Sequence, residues 1–158
     1  MDTSTVFGLA FAIGCIAGLR TFTPLAAAGT AAYLGWINLQ GDWLAFLGNP
    51  VAAYIFGPLA LAELVTDKLP NTPSRKTTGP FVARIVSGGL SGAALGAAGH
   101  QSWIAGAVLG GLGAVAGTLG GYEARTRLVK AFKSPDFMVA LLEDAVAVGS
   151  GLFLVTRL

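Results

Sequence analysis

The chain reads as an all-α polytopic integral membrane protein, and three observations predict that class. Of its 158 residues 54% are hydrophobic and only 11% are charged, with a mean hydropathy of +0.69; soluble domains carry roughly 25% charged residues. The apolar residues gather into six runs bounded by charge, proline or polar clusters. Glycines recur at four-residue spacing in three of those runs, a pattern that lets membrane helices approach closely.

The six runs cover residues 4–19, 22–38, 50–66, 80–99, 102–122 and 136–156, giving about six transmembrane or half-membrane helices in one domain, 1–158. Met1-Asp2-Thr3-Ser4 lacks the positive stretch of a signal peptide, so the first run is expected to stay in the mature chain. The first two runs fall short of the roughly 20 residues that span hydrocarbon. Only Arg20-Thr21-Phe22-Thr23-Pro24 separates them. Thr21 or Thr23 suits an N-cap and Pro24 the first turn of a new helix. The pair is therefore either a tight hairpin of two spans or a broken, re-entrant helix.

The third run ends in Leu61-Ala62-Glu63-Leu64-Val65-Thr66-Asp67-Lys68-Leu69-Pro70, where Pro70 is expected to stop the helix. The fourth follows Pro80 and carries Arg84. The turn Gly99-His100-Gln101-Ser102 leads into the fifth and presents His100 to water, and the sixth carries Glu143 and Asp144.

Basic residues orient the whole. Lys68, Arg75 and Lys76 lie in the loop 67–79, and Arg125, Arg127, Lys130 and Lys133 in the loop 123–135. Both loops fall on one side, which the positive-inside rule makes cytoplasmic. Six spans put both termini, Asp42 and His100 outside; five would put the N-terminus inside. The second basic loop is also expected to lie near anionic lipids.

Shifted by 80 residues, the chain superposes on itself. Gly8, Ala17, Ala27, Ala60, Leu61 and Glu63 meet Gly88, Ala97, Ala107, Ala140, Leu141 and Glu143, and the order of short turn, long loop and intramembrane glutamate recurs. Three spans per half make the halves, 1–78 and 79–158, an inverted repeat, an architecture that recurs in secondary transporters with the site between the halves. Glu63 and Glu143 are then expected to be related by a two-fold axis in the membrane plane and to share a central site.

The charged residues inside the runs are the binding candidates, because an ionised group at membrane depth needs a partner, a proton or a wet cavity. Glu63 and Asp67 are four apart on one helix face, with Asp67 expected at the cytoplasmic mouth. Arg20 and Arg84 can neutralise Glu63 or Glu143 or hold an anionic group; Arg84 can also snorkel to the headgroups. Glu143 and Asp144 point about 100° apart, so at most one faces a given pocket. The glycines Gly14, Gly18, Gly88, Gly92, Gly96, Gly106, Gly110, Gly113, Gly117 and Gly121 are expected to serve helix packing, with a homodimer seam as the alternative.

The net charge of +2 is too small to point to nucleic acid, and single Cys15 reads as a packed small residue. No nucleophile elbow, zinc-ligand spacing or phosphate-binding glycine loop appears, and no cofactor is expected. Gly18-Leu19-Arg20-Thr21, the Glu-Leu-x-x-Asp-Lys-Leu-Pro core beginning at Glu63, and Leu142-Glu143-Asp144 together resemble the bacterial membrane-protein family called domain of unknown function 4126. The resemblance covers most of the chain and implies a small bacterial multi-pass membrane protein without an assigned activity.

The function expected from these residues is an inner-membrane transporter or channel for an ion, small solute or lipid-linked anion. The rival is a non-transporting scaffold whose acids form structural ion pairs. A third class is a metal-dependent lipid-phosphate enzyme using Glu63 and Asp67. Membrane lipids are the expected partners in each case.

Overall fold

The computed structural model describes residues 1–40, 43–68, 77–132 and 136–157, and its regular elements are helical throughout. In order they are α1 (Thr3–Leu19), α2 (Thr23–Tyr33), a short 3-10 helix (Trp43–Gly48), α3 (Pro50–Thr66), α4 (Thr78–Ala98), α5 (Trp103–Phe132) and α6 (Asp136–Val155). Among the described residues three stretches are long and apolar enough to cross a membrane: Thr78–Ala98, Trp103–Lys130 and Phe137–Val155. The helices α1 and α3 have 17 residues each, which rise about 25 Å. The 11 residues of α2 rise only about 16 Å, too little to span hydrocarbon alone. Of the two readings of runs one and two, the broken helix is the one these lengths favour.

Two boundaries differ from expectation. The second run was expected to reach residue 38, but α2 ends at Tyr33 and the chain turns through Gly35 at φ 76°, a conformation glycine adopts without strain. The fifth was expected to end near 122, but α5 runs ten residues further, to Phe132. Glu123, Ala124, Arg125 and Arg127 are good helix formers, and Arg127 Nε meets Glu123 Oε1 at 2.8 Å one turn away. Much of the expected loop 123–135 is therefore helix. Residues 69–76, with Pro70, Arg75 and Lys76, lie outside the described residues, as do Asp42 and Lys133.

A close-packed trio, α1, α4 and α5, forms the centre, and glycine makes it possible. A Cβ added at Gly14 would fall 2.1 Å from the Gly110 carbonyl oxygen, and one at Gly18 2.4 Å from the Thr118 nitrogen. Gly88 and Gly92 meet Gly110 and Gly106 in the same way, Gly96 meets the Ser102 carbonyl, and Gly113 and Gly117 face the backbone of Phe11 and Cys15. The matched positions rise together between α1 and α5, so these run parallel, with α4 antiparallel to both. Gly121 is different: it is half-buried and lines a shallow apolar cleft with Leu19 and Glu143.

The helix α2, the 3-10 helix and α3 pack beside this trio. Leu25, Ala28 and Ala31 of α2 join Leu44, Leu47 and the α4 residues Ala93 to Leu95 in the main apolar cluster. Around that core the polarity is inside out. Tyr54, Leu61, Val65, Ile104, Leu142 and Phe153 are exposed, whereas Arg20, Arg84, Glu63 and Asp144 are buried. Soluble proteins arrange these classes the other way, and together with the three long apolar helices this pattern points to a membrane protein.

One end is aromatic. Trp43 stacks edge-on against Trp103, with ring centroids 5.4 Å apart, and Thr3 Oγ1 donates to Gln101 Oε1 at 3.1 Å beside the turn where His100 is exposed at φ 56°. Lys68, Arg125, Arg127 and Lys130 lie toward the other end.

Candidate functional site

The densest polar chemistry surrounds the interruption between α1 and α2. Leaving α1, Arg20 takes an extended conformation, and the chain re-enters a helix at Thr23. The backbone groups released there are buried, so each needs a partner.

Glu63 of α3 supplies two. Its carboxylate accepts from the Thr21 amide at 2.6 Å and the Phe22 amide at 2.8 Å. No side chain of the interruption caps α2; its N-cap position is Phe22, and the expected cap by Thr21 or Thr23 is not made. A glutamate from another helix does that work, at the end of α2 where the helix dipole favours negative charge. Pro24 holds the first-turn position, as its fixed φ predicts.

Arg84 of α4 supplies the donors on the other side. Its guanidinium donates to the carbonyls of Gly18 and Leu19, the latter at 3.0 Å. Ser87 Oγ donates to the Thr21 carbonyl, and Thr118 Oγ1 of α5 reaches the Gly18 carbonyl at 3.3 Å. Arg84 is buried and does not snorkel.

Arg20 itself is wholly buried, at 0% exposure. Its two terminal nitrogens form ion pairs with Asp67, just past the end of α3, and with Asp144 of α6. Lys68 Nζ extends the chain Asp67–Arg20–Asp144 with a 2.5 Å contact to Asp144 Oδ2, and it also donates to the Leu64 carbonyl at 2.7 Å. Two acids and two bases thus tie α1, α3 and α6 together. Arg84 and Asp144 lie six and eight residues into their helices, which puts the cluster roughly 10 Å below those helix ends.

Of the expected site residues, Arg20, Glu63, Asp67, Asp144 and Arg84 come together at the interruption, and Lys68 joins them. Glu143 does not occupy a position equivalent to Glu63. It turns toward α5, where its Oε2 lies 3.6 Å from an Arg125 nitrogen. The expected two-fold relation would set Glu143 beside the turn at His100; instead both glutamates lie toward the basic end. The halves are also unequal, with 11 residues in α2 against 30 in α5. Arg20 takes the two aspartates, and the Glu63 carboxylate takes the amides of Thr21 and Phe22.

Missed by the sequence reading were Ser87, Thr118 and the pairing role of Lys68. Ser87 lies three residues after Arg84, one turn along the same face, which is the signal that points to it. Among the described residues no three His, Cys, Asp or Glu side chains are grouped to hold a metal ion.

Below the cluster, α2, α3 and α6 enclose a groove of about 430 Å³, lined by Thr23, Ala27, Gly57, Leu61, Leu64 and Val148 among others. Its lining is almost wholly apolar, and Lys68 lies next to it through the hydrogen bond its ammonium donates to the carbonyl of the lining residue Leu64.

A family model described as domain of unknown function (DUF4126) matches residues 7–156. No curated protein and no solved structure matches the chain.

Proposed function

Because the chain belongs to the DUF4126 family, whose description names no activity, we propose a function from the geometry: a small multi-pass transporter of the bacterial inner membrane, gated at the interruption between α1 and α2. Its cargo is an ion, a small solute or a lipid-linked anion. The basic end, with residues 67–79 and 123–135, faces the cytoplasm.

The observation that carries this reading is the chain of ion pairs Asp67–Arg20–Asp144–Lys68, with Arg20 and Asp144 buried, beside a broken helix. Discontinuous helices supply transporters with free backbone dipoles at membrane depth, and half-helix N-termini there receive anionic groups. Glu63 fills that place at the start of α2, so the present arrangement is a closed one in which the chain's own carboxylates occupy the cationic and amide donors. Opening exchanges Asp67 or Asp144 for cargo.

The rival scaffold reading is favoured by the mutual pairing of the four charges, two acids against two bases, which ties three helices together. Flux separates the two. Purified protein in liposomes is assayed with pyranine for protons, with potassium and sodium, and with a fluorescent short-chain phosphatidylglycerol. The transport reading expects flux of at least one probe, cut at least tenfold by Glu63→Gln or Asp144→Asn. Absence of any flux that these substitutions alter overturns it.

A further inference from the structure

We propose that the groove between α2, α3 and α6 binds one acyl chain of an anionic glycerophospholipid, with the phosphate at Lys68. This deepens the transport reading by naming the lipid-linked anion among its cargoes, and it rests on that reading only for the step of movement, not for binding.

Three stripes of residues converge on one end. On α3, Gly57, Leu61 and Leu64 line the groove and Lys68 follows one turn later; on α6, Asp144 precedes Val148 and Leu152 by one and two turns. On the α2 wall, Arg20 precedes Thr23. The groove is therefore apolar along its length, and Lys68 and Asp144 lie one turn beyond the same end of it, an order that matches an amphiphile. Its volume of about 430 Å³ falls within the roughly 300–1,000 Å³ of small-molecule sites. Leu61 and Leu152 on its rim are exposed, so a chain enters from the surrounding hydrocarbon.

Two polar groups stand ready at that end. An ammonium has three donors; Lys68 uses two, on Leu64 and Asp144, and its side chain is 20% exposed. The hydroxyl of Thr23 is buried and has no hydrogen-bond partner among the described residues, which calls for an occupant that supplies one. A phosphate oxygen suits the Lys68 ammonium, and an ester or glycerol oxygen suits the hydroxyl.

Gly57 offers a clean test, because a Cβ there meets nothing within 4 Å and replacing a helical glycine improves helix propensity. Gly57→Phe fills the groove without a backbone clash. Gly120, equally open and away from the groove, gives the control Gly120→Phe. Native mass spectrometry of the full chain in detergent, titrated with dioleoylphosphatidylglycerol and dioleoylphosphatidylcholine, reads the affinities. The expected result is a preference for phosphatidylglycerol, weakened at least tenfold by Gly57→Phe, unchanged by Gly120→Phe, reduced to the phosphatidylcholine level by Lys68→Gln, and not competed by inorganic phosphate. Equal binding of the two lipids, or wild-type binding by Gly57→Phe, overturns the proposal. Ion flux without lipid binding overturns this proposal and leaves transport standing; lipid binding without flux does the reverse.

Discussion

Arg20 is the residue on which the interior depends. A guanidinium at 0% exposure is tolerable because Asp67 and Asp144 both pair with it, and removing one side of such a set leaves a buried charge uncompensated. Arg20→Met alone is expected to cost about 3–5 kcal/mol. The double substitution Arg20→Met, Asp67→Asn, which leaves Asp144 paired with Lys68, is expected to recover most of that, as read by sodium dodecyl sulfate unfolding from mixed micelles. Glu63 has a different job. Glu63→Ala orphans the amides of Thr21 and Phe22, at about 1–3 kcal/mol each, while Glu63→Gln keeps an acceptor and costs less in the same assay. At this scale the sequence exposed the right residue types but not their pairing. Glu143 and Asp144 are neighbours, and which one turns inward depends on the rotation of α6, which its packing sets. The shift of 80 residues matches Glu63 with Glu143, whereas the acid of α6 that pairs with Arg20 is Asp144.

Among the elements, the interruption and the glycine contacts govern the architecture. The short span between Arg20 and Pro24 was legible as a break, because cap-forming threonines and a proline punctuate it. Its true cap was not, since Glu63 arrives from a helix more than 40 residues away. The end of α2 was hidden because Leu34, Trp36 and Ile37 continue the apolar run while Gly35 turns the chain. The extension of α5 was hidden for the opposite reason, charge being read as loop where it is helix. The glycines divide by environment. Gly14→Val drives a side chain into the Gly110 carbonyl, and overpacking of this kind costs about 1–3 kcal/mol or more. Gly57→Ala, facing open space, is expected to be neutral or stabilising by up to about 1 kcal/mol. Thermal unfolding in detergent micelles ranks the two.

For the whole molecule, composition revealed the membrane class, and the inside-out distribution of polar and apolar residues gives it physical form. The proposed orientation rests on lysine and arginine positions alone, whereas the inequality of the halves was not legible, because repeat matches in an alanine- and glycine-rich chain carry no information about helix length. All three tryptophans, Trp36, Trp43 and Trp103, are exposed, and tryptophan favours the membrane–water interface. Brominated lipids are therefore expected to quench their fluorescence most strongly when the bromine lies near the headgroup, and least at the bilayer centre. The central claim is that the Arg20 ion-pair cluster is a working gate. The most direct test compares flux through liposomes containing wild-type protein with flux through the folded double variant Arg20→Met, Asp67→Asn, in which Asp144 keeps its pair with Lys68. The gate account predicts a stably folded variant whose flux has fallen at least tenfold; a stably folded variant with wild-type flux would contradict it.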